Sequence, residues 1–131
     1  MKIKNSYPPN YDELIKHFDI ADNPNVIFTY GNKLYVPNKQ NIPDDLIVHE
    51  SVHIEQQKKV GVKEWWNKYI FNIDFRIDQE AEAYNAQYKY LKESFNRHDR
   101  RAKLKQLVEV FSGPVYGNIL TPELAKELIT K

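Results

Sequence analysis

The chain has 131 residues, no cysteine, 41% hydrophobic and 28% charged residues, and a formal net charge of +1. That is enough chain for one domain with a modest core, and the near-neutral balance gives no support to a whole-molecule role in binding polyanions. Without cysteine there are neither disulfides nor thiolate zinc sites, so any metal must be held by histidine and carboxylate.

Met1-Lys2-Ile3-Lys4-Asn5 lacks the apolar stretch of a signal peptide, and no apolar run approaches the length of a membrane span. The expectation is a soluble cytoplasmic protein, or one exported without a conventional signal. Lys2 to Asn5 predicts a short strand. After Pro8-Pro9, Leu14, Ile15 and Phe18 recur at helical spacing, predicting a helix over Tyr11 to Phe18 with Asp12 and Glu13 in its favourable first turn. Asn23-Pro24-Asn25 predicts a turn. Val26 to Tyr30 and Lys33 to Val36 are β-rich runs flanking Gly31-Asn32, the signature of a two-residue antiparallel hairpin.

Pro43 suits the first position of the next helix, Asp44-Asp45 suit its positive end, and Gly61 suits its stop. Val62 to Phe71 is aromatic and predicts a short helix with a loop, its tryptophans serving as core. Ile73 to Phe95 is the longest periodic segment. Ile73, Ile77, Glu80, Tyr84, Tyr88, Leu91 and Phe95 trace one stripe, with Asp78, Glu82, Asn85, Lys89 and Lys92 opposite. Arg97 to Phe111 predicts a basic helix with an apolar side, ended by Ser112-Gly113-Pro114. Thr121 as cap and Pro122 at the first position open a last helix.

The chemistry concentrates in His49-Glu50-Ser51-Val52-His53, within the helix over Pro43 to Val60. Residues i and i+4 share a helical face about one turn apart, so both imidazoles can point at one ion while Glu50 reaches a water beside it. A catalytic zinc site needs a third ligand. Glu80 is the one ionisable residue on the long stripe, and a bare carboxylate buried among Ile, Tyr and Leu needs a cation. A metal held with His49 and His53 is the favoured cation, and Arg76 one turn earlier is the plain alternative. Glu82 lies about 200° around the helix from Glu80, on a polar face, and His98 lies in a charged run; both are rival ligands read as solvated.

The run His49-Glu50-x-x-His53-x-x-Gln56-Gln57, followed by Glu80-Ala81-Glu82-Ala83-Tyr84, resembles the gluzincin class of zinc metallopeptidases. It is most similar to the small members: minigluzincins, ImmA-like peptidases and metallopeptidase domains with an H-E-x-x-H-x-x-Q signature. The resemblance covers about residues 11 to 95 and implies Glu80 as third ligand, with Ala83 as the small residue three positions on. Related families often carry Asn or Asp next, bonded to a metal histidine; this chain has Tyr84 there. The implied architecture is mainly helical α+β, a zincin-like core with a small antiparallel sheet, a motif helix and a crossing glutamate helix. The whole chain, 1–131, reads as a single domain whose residues 97–131 form a helical extension.

The expected activity is that of a zinc-dependent endopeptidase acting on a peptide or protein substrate. Glu50 would be the general base, with Tyr84 as added oxyanion donor and Tyr69, Arg76 and His98 as lesser candidates. Gln56, Gln57, Asp74 and Asp78 are candidates to orient the imidazoles, and strand Leu34 to Val36 is the expected rim for an extended substrate. The alternative is a metal-retaining latent or binding protein, with Ser112 to Lys131 folded over the site. Nucleic-acid binding through Arg97 to Lys105 ranks below both, because a charge run is usually a solvated helix face.

Overall fold

The computed structural model describes residues 1–131 and is mainly helical, with six α-helices and three short strands. In chain order these are β1 (Lys2–Lys4), α1 (Tyr11–His17), β2 (Phe28–Tyr30), β3 (Lys33–Tyr35), α2 (Asp44–Val60), α3 (Val62–Phe71), α4 (Ile73–Ser94), α5 (Arg97–Phe111) and α6 (Pro122–Thr130), with a 3-10 turn at Pro114–Tyr116 before α6. No helix is long and apolar enough to cross a membrane.

The hairpin forms where Gly31-Asn32 predicts it. Gly31 takes φ +65°, a left-handed conformation that favours glycine, and Tyr30 pairs with Lys33. The sheet is mixed rather than antiparallel, because β1 adds in parallel to β3 with Ile3 opposite Leu34. Strand order is therefore β1-β3-β2. This corrects the substrate rim: β3 is the central strand, paired on both sides, with Leu34, Tyr35 and Val36 buried. The outer strand next to the motif helix is β2, which packs on α2 and whose Thr29 carbonyl accepts from Gln57 of that helix.

Helix α2 starts one residue later than the sequence suggests, with Pro43 as its cap, and ends at Gly61, whose φ is +99°. Its five buried residues are His49, Glu50, His53, Gln56 and Gln57, every one polar. Such a helix gains little from apolar burial and is held by hydrogen bonds from its inner face. One of these residues, Gln57, bridges to the hairpin: its Nε2 donates to Thr29 O at 2.8 Å, and Gly31 N donates to its Oε1 at 2.7 Å.

Val62–Phe71 is helical throughout, with no loop inside it. On α4 the buried face is Arg76, Glu80, Ala83, Tyr84, Gln87 and Leu91. The ends of the expected stripe, Ile73 and Phe95, are exposed. Arg76 replaces Ile73 because its guanidinium closes α3, donating to Tyr69 O (2.8 Å) and Ile70 O (2.7 Å).

Two apolar clusters support the fold. Leu14, Ile20, Phe28, Tyr35 and Ile70 form one; Tyr84, Phe111, Leu120, Ala125 and Ile129 form the other. The second cluster joins α4 to residues of α5 and α6, so residues 97–131 share a core with the glutamate helix. Thr121 caps α6 as expected, accepting from Leu124 N at 3.2 Å.

Candidate metal centre

Helices α2 and α4 cross closely and bring three ionisable groups to one point. His49 Nε2 lies 3.1 Å from Glu80 Oε1, and His53 Nε2 lies 2.9 Å from the same oxygen. The ligand atoms of His49, His53 and Glu80 fall within 4.8 Å of one another. His49 is 2% exposed, His53 4%, Glu80 4% and the neighbouring Glu50 7%. The i, i+4 spacing puts both imidazoles on the inner face of α2, as anticipated, and Glu80 is the carboxylate that meets them. Two nitrogens and one oxygen form a donor set suited to zinc. Ligands at about 2.0–2.1 Å from a tetrahedral ion lie about 3.3 Å apart, so the observed separations fit after small side-chain shifts.

The surrounding groups orient these atoms. His53 Nδ1 donates to Gln56 Oε1 at 2.8 Å, and His49 Nδ1 donates to Gln87 Oε1 at 3.0 Å. Both bonds direct Nε2 toward Glu80, the arrangement second-sphere partners impose on metal-binding imidazoles. Gln87 is itself held by donating to Asp45 Oδ2 at 2.8 Å. The hydroxyl of Tyr69 donates to Glu80 Oε2, which leaves Oε1 for the histidines. Trp65 stacks on Tyr69 at 4.9 Å, meets the His53 ring edge-on at 5.3 Å, and donates through Nε1 to Gln79 Oε1 at 2.8 Å. Thr29 Oγ1 donates to Glu50 Oε2 at 2.5 Å, while Glu50 Oε1 has no protein donor.

Burial alone would drive the His53 imidazole toward its neutral form. The charge of Glu80 and its hydrogen bond, with smaller help from Glu50 and Gln56, outweigh that effect and raise His53 to about 9. Burial likewise opposes ionisation of Glu80, but the two histidines overcome it and hold the carboxyl well below its usual range. With no metal bound, the charged His53 is therefore the cation that faces Glu80. Arg76 is not that cation: it makes no ion pair with Glu80, and its guanidinium sits 4.7 Å from the Phe18 ring.

The other expectations fall as follows. Glu82 is exposed and accepts from Gln56 Nε2 at 3.3 Å, while His98, Asp74 and Asp78 are exposed. Among the candidate orienting groups only Gln56 touches an imidazole; Gln57 serves the hairpin. Tyr84 packs its ring edge-on against His49 at 4.4 Å, and its hydroxyl pairs with the Tyr116 hydroxyl at 2.9 Å. Burial, reinforced by the charge of Glu80, raises both phenols well above their usual range, so both remain neutral. Thr29, Gln87 and Tyr116 escape the sequence reading. Gln87 had a detectable signal: it lies seven residues after Glu80, two turns on and on the same face.

A cavity of about 90 Å³ opens on this centre. His49, Glu50, His53 and Glu80 form its polar end, β2 contributes Phe28 and Thr29, and Val115 and Tyr116 enter from the 3-10 turn. No protein-family model, curated protein or solved structure matches this chain.

Proposed function

We propose that the protein is a zinc-dependent peptidase of the gluzincin type, with a zincin-like core. The observation that carries this reading is the convergence of both Nε2 atoms on Glu80 Oε1 in a buried pocket shared with Glu50. His49, His53 and Glu80 would hold the ion, which when bound supplies a Lewis acid that polarises a peptide carbonyl and acidifies water. Glu50 is the general base. Thr29 occupies its Oε2 and fixes the carboxylate, and Oε1 is free to take a proton from water and return it to the leaving amine. Tyr116 brings a neutral hydroxyl to the cavity wall, where it suits the developing oxyanion, and Tyr84 positions it.

A second reading is favoured by the depth of the centre. The four polar residues are nearly inaccessible and the cavity is small, as in a protein that retains a metal without turning over a substrate. One experiment separates them. Zinc content by mass spectrometry and cleavage of a random peptide library are measured for the wild type and for Glu50→Gln. The peptidase reading expects about one zinc per chain in both, with cleavage reduced at least about 1,000-fold in the variant. Zinc without cleavage in the wild type selects the metal-retaining reading, and no zinc in either removes both.

A further inference from the structure

A second concavity, of about 700 Å³, lies between α4, α5 and α6, where the basic segment was expected to be merely solvated. Arg97, Arg100, Arg101 and Lys105 come from α5, Lys126 comes from α6, and Tyr88, Leu104 and Val108 add apolar surface to the lining. Arg97, Arg101 and Lys105 succeed one another by single turns, about 6 Å along the axis. None of the five cations has a carboxylate within 4.0 Å; the ion pairs of the protein are Glu55 with Lys58, Glu64 with Lys68, and the two histidines with Glu80. Glu109 lies in the groove without pairing.

Two features set this cluster apart from an ordinary solvated face. The chain has four arginines, Arg76, Arg97, Arg100 and Arg101. Arg76 is buried beneath α3, and the other three line this one groove, while the rest of the surface uses lysine. A guanidinium offers a planar fork that binds phosphate through paired hydrogen bonds, which an ammonium cannot do. The arginines also crowd the start of α5, and its last turn has no basic residue. The helix dipole favours the reverse arrangement, so helix stability does not account for their position.

We propose that this groove binds an oligophosphate, with Arg97, Arg100 and Arg101 gripping successive phosphate groups and Lys105 and Lys126 adding charge. Free polyphosphates and a single-stranded nucleic-acid backbone both offer this chemistry. The groove shares no lining residue with the cavity at the metal centre and does not depend on the peptidase reading.

The test is titration of the full chain, by calorimetry at two salt concentrations, with inorganic tripolyphosphate, a dT12 oligonucleotide and poly-aspartate. Saturable binding of tripolyphosphate or dT12, at least about 10-fold tighter than poly-aspartate, is expected, and the tighter of the two identifies the phosphate source. Arg100→Lys with Arg101→Lys should weaken that binding at least about 10-fold although charge is retained. The double variant should keep the wild-type zinc content and melting temperature, since both residues lie outside the two apolar clusters. No saturable phosphate binding, equal binding of poly-aspartate, or unchanged affinity in the lysine variant would each overturn the proposal.

Discussion

Gln87 shows how much of the candidate centre depends on residues outside its three possible ligands. Its amide oxygen accepts from His49 Nδ1, its nitrogen donates to Asp45, and it is buried. The resemblance to small gluzincins leads one to look for an Asn or Asp at the position held by Tyr84. Here Tyr84 gives His49 a ring to pack against, and Gln87, one turn further along α4, supplies the acceptor. Losing such a partner typically lowers metal affinity 10- to 100-fold. Gln87→Ala is expected to weaken zinc binding by about that factor in competition with a chromogenic chelator, while Gln79→Ala, which removes only the Trp65 bond, should weaken it less. Equal affinities for wild type and Gln87→Ala would remove Gln87 from the centre.

At the scale of elements, the sequence was informative wherever local chemistry decides the outcome. Gly31-Asn32 specified the hairpin turn, Gly61 the end of α2, and Thr121-Pro122 the start of α6. The i, i+4 histidines and the solitary acid on the α4 stripe were sufficient to pick out the three residues that the fold brings together as a possible metal site. The parallel addition of β1, and with it the central place of β3, was not readable, because pairing between distant strands leaves no local pattern in three-residue segments. The buried face of α4 was misread at its ends for a related reason. Arg76 is buried by the carbonyls of α3 that it caps, a requirement set by another helix. Thr29 gave no signal because its role depends on the packing of β2 against α2.

The C-terminal elements also have a role the sequence did not disclose. Leu120, Ala125 and Ile129 pack with Tyr84 and Phe111, so α6 supports the helix that carries Glu80. Emptying a buried Leu or Ile position costs about 2–5 kcal/mol, against a total stability of about 5–15 kcal/mol for a domain. Removal of residues 112–131 is therefore expected to lower the urea midpoint sharply or unfold the chain, as followed by circular dichroism. A truncated chain as stable as the full one would show that α6 is dispensable.

For the whole molecule, the centre makes stability depend on pH when metal is absent. His53 is raised from 6.5 to about 9 on folding, so its contribution is complete below about pH 6.5 and is lost as pH rises through about 9. Glu80 is depressed, so its contribution is present above about pH 4.5 and is lost as pH falls toward its folded value. These are two views of one interaction, on the order of 3 kcal/mol from the His53 shift. Chelator-treated protein should be most stable between about pH 4.5 and 6.5 and measurably weaker at pH 9.5 in urea titrations. On the proposed reading zinc would take the place of the proton between His53 and Glu80, so the loaded protein should lose less stability over pH 6.5 to 9.5. Identical alkaline profiles with and without metal would separate the ion from these residues.

The fold joins two apolar clusters through a polar layer consisting largely of α2 and the inner face of α4. That layer costs the molecule apolar burial, and its three converging ionisable groups could hold a metal ion. The most direct test is an anomalous-scattering map recorded at the zinc edge from crystals of the zinc-loaded protein. The account predicts one strong peak in contact with His49 Nε2, His53 Nε2 and a Glu80 carboxylate oxygen. A peak held by other residues, or none between α2 and α4, would contradict it.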